Sequence, residues 1–341
     1  MPKNREYKDL RCYILNIINI DSVVERMYNS VKDHYVGDGK FCRTTLDGKR
    51  NPNAYGCADA ANILYTLNKM PLDSKQREQI VKGIQSFQNP ENGLFEEGTH
   101  HPVHTTAHCV AALELFDARP VYPLYELEKY ENFENVKSIF NDVDWLHCGK
   151  AAHPGAGVYA ALVITERVGA DWKRKYFDFL DANCDKETGV WVNQPTAEYF
   201  TRYFQIGDAF HYYFNYEHNR HPMPYPEALI DTCLSAYRDG DMGEIFEKCH
   251  GFIQMDWVYC LNRATRQTTH RFDEVKQTLF EFAKKYIAFL ETATSDIDKS
   301  GDDLHLVFGT ICCLAELQQA LPGKIYSSVP LRLVLDRRPF I

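Results

Sequence analysis

Gln88-Asn89-Pro90-Glu91-Asn92-Gly93-Leu94-Phe95 is an acidic, glycine-bearing turn that ends on an aromatic residue. The phrase returns about every fifty residues, the spacing of a repeat architecture. A second copy is Asn183-Cys184-Asp185-Lys186-Glu187-Thr188-Gly189-Val190-Trp191. Looser copies are Val36-Gly37-Asp38-Gly39-Lys40-Phe41 and Arg238-Asp239-Gly240-Asp241-Met242-Gly243-Glu244-Ile245-Phe246. Asp296-Ile297-Asp298-Lys299-Ser300-Gly301-Asp302-Asp303 is a degenerate one. Each follows one stretch of helical periodicity and precedes another.

Between these turns the chain divides into twelve helical segments of two kinds. Six are amphipathic: 8–34, 73–88, 123–141, 170–184, 224–238 and 271–294. Asp73 followed three residues on by Gln76, and Pro224 and Pro226 at the start of the fifth, are helix-start signals. Six are apolar on most faces: 53–68, 101–117, 152–167, 196–217, 249–266 and 302–321. Ala151-Ala152-His153-Pro154-Gly155-Ala156-Gly157-Val158-Tyr159-Ala160-Ala161-Leu162 shows the type, and such helices are buried. Strict alternation of outer and inner helices predicts an all-α chain, an (α/α)6 toroid of six helical hairpins around a central cavity. It forms a single domain over 1–341. An open solenoid of helical pairs is the competing arrangement.

Phe87 to Phe95, followed by Thr105-Thr106-Ala107-His108-Cys109-Val110-Ala111-Ala112-Leu113, resembles the repeat of the protein prenyltransferase and squalene/terpenoid cyclase superfamily. In that superfamily a Q-x-x-D-G-x-[FW] turn leads into an inner helix with a T-x-x-A-x-x-A-L face. The resemblance implies the toroid and extends over about five of the six repeats. It leaves the reaction open. The cyclases' D-x-D-D acid has no counterpart, since Asp296-Ile297-Asp298-Lys299 differs from it. Cys57-Ala58-Asp59 reverses the order of the prenyltransferases' D-x-C zinc motif.

The chain has 341 residues, 45% hydrophobic, which suffices for a large core. Its net charge of −9 without a basic block argues against nucleic acid and anionic membrane as partners. The apolar run Cys12 to Ile18 is too short for a signal peptide, and no run is long enough to span a membrane. Eleven scattered cysteines fit a reducing cytoplasm.

In a toroid the ligand sits where the inner helices begin, so polar residues there are the candidates. Asp59, His104, His211 and Asp256 come from four inner helices and are expected to do acid–base work in one pocket. His153, Tyr212, Trp257, Asp303 and His305 are expected to contact the substrate. Phe204 to Tyr216 is the densest aromatic stretch, able to line a cavity or to form core. His104 and His108, four apart on a helix, share a face and are candidates for a zinc site with a third ligand from elsewhere. Cys249-His250-Gly251 and Trp145-Leu146-His147-Cys148-Gly149 look similar to the zinc-binding segments of lanthipeptide cyclases, so Cys249 and His250 are candidate ligands as well.

An aromatic cavity rich in histidine and aspartate suits a hydroxylated substrate. The expected function is therefore an enzyme acting on a carbohydrate or similar polar metabolite, comparable in size to unsaturated glycosyl hydrolases and sugar epimerases of (α/α)6 fold. Isoprenoid chemistry, and a binding module without catalysis, are the alternatives. The first requires an apolar tunnel with a diphosphate or acid site; the second requires no convergence of His and Asp.

Overall fold

Two patterns of burial alternate along the chain. We analysed a computed structural model that describes residues 17–45, 48–141, 152–191, 202–244, 246–292 and 303–340. One series of helices buries a single stripe: α1 (Asp21–Asp33), α3 (Ser74–Gln85), α5 (Phe133–Asn141), α7 (Ala170–Asn183), α9 (Pro226–Arg238) and α11 (Phe272–Thr292). In α1 the stripe is Val23, Met27 and Val31, the spacing of one helix face. The other series is α2 (Ala54–Thr66), α4 (Pro102–Glu114), α6 (Ala152–Ile164), α8 (Arg202–Asn219), α10 (Phe252–Ala264) and α12 (Leu304–Ala320). In α2 every residue from Ala54 to Leu64 is buried, polar ones included. A helix so enclosed must find a partner within the fold for each polar side chain.

The buried helices pack in chain order, α2 on α4, α4 on α6, and so on to α12, and α12 packs against α2. The amphipathic helices cover this set: α3 lies against α2 and α4, α9 against α8 and α10, and α1 against α12 and α2. Extended backbone reinforces the place where the chain's two ends meet. Strand β1 (Ile18–Asn19) pairs in parallel with β4 (Ile325–Tyr326), while β2 (Tyr35–Gly37) and β3 (Lys40–Phe41) form a separate antiparallel hairpin. The short helix α13 (Val334–Arg337) packs on α8 and α2.

Two of the expected outer segments begin differently. The helix expected over 8–34 is helical from Asp21, because Ile18 and Asn19 pair with β4 and the Asn19 side chain accepts the Asp21 N–H at 2.8 Å. The segment expected over 123–141 opens as a 3-10 helix, Tyr125–Glu131, and Asn132 then caps a fresh helix by accepting the Glu134 N–H. Of 196–217, the part from 202 is described and helical. Residues 145–148 and the degenerate turn from 296 to 302 lie outside the described residues.

The two clearest copies of the turn share one hydrogen-bond pattern. Gly93 N–H donates to the Asn89 carbonyl and Asn89 N–H to the Leu94 carbonyl, both at 2.8 Å. In the second copy Gly189 N–H donates to Asp185 and Asp185 N–H to Val190, both at 2.9 Å. Gln88 explains the repeat's leading glutamine. Its amide donates to the Gly93 carbonyl (2.8 Å) and the Tyr122 carbonyl (2.7 Å), and its oxygen accepts the Tyr122 N–H (2.9 Å), stitching the turn to the next repeat. On the inner side, Phe95 N–H donates to the Thr106 hydroxyl at 2.9 Å, tying the turn to α4.

Gly93 has φ +78° and faces the next repeat so closely that an added Cβ would fall 2.0 Å from the Pro123 carbonyl oxygen. Strain and clash therefore act together. Gly93→Val is expected to lower stability by about 3 kcal/mol, measured by chemical denaturation; an unchanged midpoint would show that the turn is not under this constraint.

Candidate functional site

The first two inner helices carry matched pairs at helical spacing. Tyr55 and Asp59 are four apart on α2, and His104 and His108 are four apart on α4, so each pair shares a face. They meet as two rungs. The Tyr55 hydroxyl lies 2.5 Å from His104 Nδ1, and His108 Nε2–H donates to Asp59 Oδ1 at 2.9 Å. The last inner helix completes the lower rung, since His305 Nδ1–H donates to the same Asp59 oxygen at 3.1 Å. Asp303 caps α12 by accepting the His305 N–H, and Arg43 Nε–H donates to Asp303 at 3.2 Å. The local folding of α12's first turn thus aims His305 at α2.

Above these rungs His100 stacks on the Tyr55 ring at 4.3 Å between centroids. Phe252, in the first turn of α10, packs on His305 at 4.3 Å. Asp256 lies one turn further along the same face of α10. From α8, His211 approaches His104 at 5.9 Å. Below, Phe340 packs against His104 at 4.8 Å and Phe214 at 5.3 Å, and the Asn215 amide donates to the Pro339 carbonyl at 2.8 Å. Side chains from α2, α4, α8, α10 and α12 are thereby linked through successive contacts, with 338–340 beneath them.

The titratable groups are held in different protonation states. Burial alone would raise the Asp59 carboxyl; the His305 imidazole and the hydrogen bonds from His108 and His305 outweigh it, so Asp59 stays well below the usual carboxylate range. Burial draws His108 down to about 4 against the pull of Asp59. Burial likewise draws His211 down to about 4. Its Nδ1–H donates to the Gly207 carbonyl at 2.8 Å, which fixes the tautomer and puts the imidazole lone pair on Nε2. Asp256 behaves oppositely: burial, and then the charge of Asp208, push its carboxyl well above the ordinary value. Burial also pushes the Tyr55 hydroxyl well above its usual range, keeping it protonated. The arrangement contains a carboxylate, a carboxylic acid and a neutral imidazole base, the separation of roles that acid–base chemistry uses.

Asp59, His104 and His211 belong to this linked set, and Asp256 lies on the face of α10 that Phe252 presents to it. His305, expected to touch substrate, is bonded to Asp59, and Asp303 acts through the helix cap. Tyr212 and Trp257 are placed in the walls instead. Tyr212 packs between Phe140 and Trp191. Trp257 donates its indole N–H to the Cys233 carbonyl at 2.9 Å and packs on Tyr237 and Phe282 of the outer helices. Their size fills the seam between inner and outer layers, which corrects the expectation that they line the cavity. His153 lies in α6, with its side chain outside the described residues. Cys249 accepts from the Gln254 amide and His250 Nδ1 lies 3.2 Å from the Thr310 hydroxyl. Among the described residues, the one group of three His, Cys, Asp or Glu side chains with metal-ligand spacing is Asp59, His108 and His305. It shares only His108 with the ligands expected from sequence, and excludes His104, Cys249 and His250.

Sequence reasoning missed Tyr55, Arg43, Phe252 and Phe340. Tyr55 carried a signal, its spacing of four from Asp59, which mirrors His104 and His108. Phe340 carried none. Comparison with known proteins finds no matching family model, no matching curated sequence and no matching solved structure.

The raised Asp256 carboxyl has a measurable consequence. Its folded pKa lies above the unfolded value of about 3.9, so the folded chain holds this proton more tightly and loses stability as pH rises through that window. Asp256→Asn removes the ionisation. The variant is expected to melt at higher temperature than wild type at pH 7, with the gain vanishing below the ordinary carboxylate pKa. A variant less stable than wild type at neutral pH would show that Asp256 is a satisfied structural anion.

Proposed function

We propose that the six inner helices form an (α/α)6 toroid and that its interior is the active site of an enzyme acting on a carbohydrate or a similarly polar, hydroxylated metabolite. The observation that carries this reading is the contrast between two buried groups on inner helices: His211, a weakly basic imidazole with a fixed tautomer beside His104, and Asp256, a carboxyl that burial and Asp208 push well above its ordinary value. In this reading His211 Nε2 takes a proton from a substrate hydroxyl or a water, and Asp256 protonates the leaving or receiving oxygen. Tyr55 and His104 supply a hydrogen-bonded pair through which a proton can be passed, and Asp59 supplies a fixed negative charge. Each positioned proton transfer is worth about 10²–10⁴ in rate.

The isoprenoid alternative needs a long apolar tunnel. Imidazoles of His104, His108, His211 and His305 on the inner helices, with Phe340 packed on His104, favour a polar substrate over a long apolar one. No helix among the described residues is long and apolar enough to cross a membrane.

The test is turnover of a panel of disaccharides, unsaturated uronyl sugars and free aldoses by wild type and His211→Ala, with circular dichroism as the folding control. Wild type is expected to convert a member of the panel, and His211→Ala to lose at least about a hundredfold in kcat/KM. The wild-type pH profile should fall on the acid side near pH 4, where His211 protonates, and on the alkaline side as Asp256 ionises. Saturable sugar binding without turnover would replace this reading with a binding module, and turnover of polyprenyl diphosphates alone would replace it with isoprenoid chemistry.

A further inference from the structure

Three of the polar side chains do more than hold one another. Asp59, His108 and His305 come from three different inner helices, and each offers a ligand atom within 4.8 Å of those of the other two. We propose that Asp59, His108 and His305 form a site for one divalent transition-metal ion of the zinc type, with the remaining coordination positions open to substrate or water.

The donor set is two imidazole nitrogens and one carboxylate oxygen, suited to zinc and its first-row neighbours and poorly suited to magnesium or calcium. An ion bound at about 2.0–2.1 Å sets tetrahedral ligands roughly 3.3 Å apart. Asp59 Oδ1 stands 2.9 Å from His108 Nε2 and 3.1 Å from His305 Nδ1, each a few tenths of an ångström short of that spacing. Both imidazoles aim these nitrogens at Asp59 Oδ1, so binding an ion replaces the two N–H···O bonds, each ring shifting its proton to its other nitrogen.

A second observation comes from the carboxylate itself. Asp59 is 0% exposed, yet its Oδ2 has no hydrogen-bond partner. A charged oxygen buried without a partner is held at a cost in free energy. A cation beside the carboxylate removes that cost, by direct coordination of Oδ2 or through its charge. Only His305, 9% exposed, keeps accessible surface, and Phe252 and Tyr55 flank it. Access to the ion is therefore from the His305 side, where His100 also lies. A bound ion there would polarise a substrate oxygen or lower the pKa of a water, and this use rests on the acid–base reading above; the binding itself does not.

The experiment is calorimetric titration of the chelator-treated full chain with Zn²⁺, and with Co²⁺ followed by its visible ligand-field spectrum. One ion per chain with a sub-micromolar Kd is expected, accompanied by a rise in Tm. His305→Ala, at the accessible edge, and the isosteric Asp59→Asn should each weaken binding at least a hundredfold. The double variant Cys249→Ser/His250→Ala should bind as wild type does. Absence of stoichiometric binding by wild type, undiminished binding by folded His305→Ala, or loss of binding in the Cys249/His250 variant would each overturn the site. The two proposals fail separately: His211→Ala should lose activity and keep the metal. A metal-free chain whose activity still depends on His211 would leave the acid–base reading alone standing.

Discussion

The contact between the last inner helix and the first is the constraint on which the rest depends. Leu304 N–H donates to the Arg43 carbonyl at 2.8 Å, Arg43 bonds the Asp303 cap, and the strands at 18–19 and 325–326 run side by side. Asp21 accepts from both the backbone and the hydroxyl of Ser328. These bonds join segments about 260–310 residues apart in sequence. Without them α2 and α12 would each present an apolar face to water, and His305 would have no carboxylate to meet. The same seam therefore buries the core and completes the polar cluster.

Repetition explains why the cluster is ordered. Tyr55 and His104 are 49 residues apart, and so are Asp59 and His108. Two neighbouring inner helices placed by equivalent turns bring equivalent positions to the same height. Polar residues at those positions then meet rung by rung. A scaffold built for apolar packing can host such rungs only where each buried group finds a partner or a ligand, since an orphan is expensive. Most do: His108 and His305 share Asp59, and Arg263 is buried among Glu217, Glu316 and Asp336 at the far end of the helices. Asp59 Oδ2 does not, and Asp256, forced to hold a proton beside Asp208, is strained electrostatically. Buried polar atoms without a hydrogen-bond partner also occur elsewhere in the interior, at Tyr159, Gln254 and Arg338 among others, so Asp59 is set apart by the two imidazoles that share its other oxygen.

The alternation of helices was legible because it rests on local signals: apolar periodicity, the Asp73 cap, and the glycine turns. Asp59, His104 and His211 were legible as buried polar residues on apolar helices. Their partners were not. That His305 serves Asp59 depends on the return of α12 to α2, and spacing within one helix cannot show it. Tyr212 and Trp257 misled because a large aromatic on a fully buried helix can face a neighbouring outer helix, as Trp257 does toward Tyr237 and Phe282. Pairing by proximity in sequence favoured Cys249 with His250, whereas the geometry gathers ligands from 59, 108 and 305.

Ring-to-ring nuclear Overhauser effects in protein with selectively labelled histidine and phenylalanine test the convergence most directly. The account predicts cross-peaks between His305 and Phe252, whose ring centroids are 4.3 Å apart, and between His104 and Phe340, 4.8 Å apart and far removed in sequence. Assigned His104 and Phe340 rings with no cross-peak between them would mean that these helices do not gather around a common interior, and the site as described would not exist.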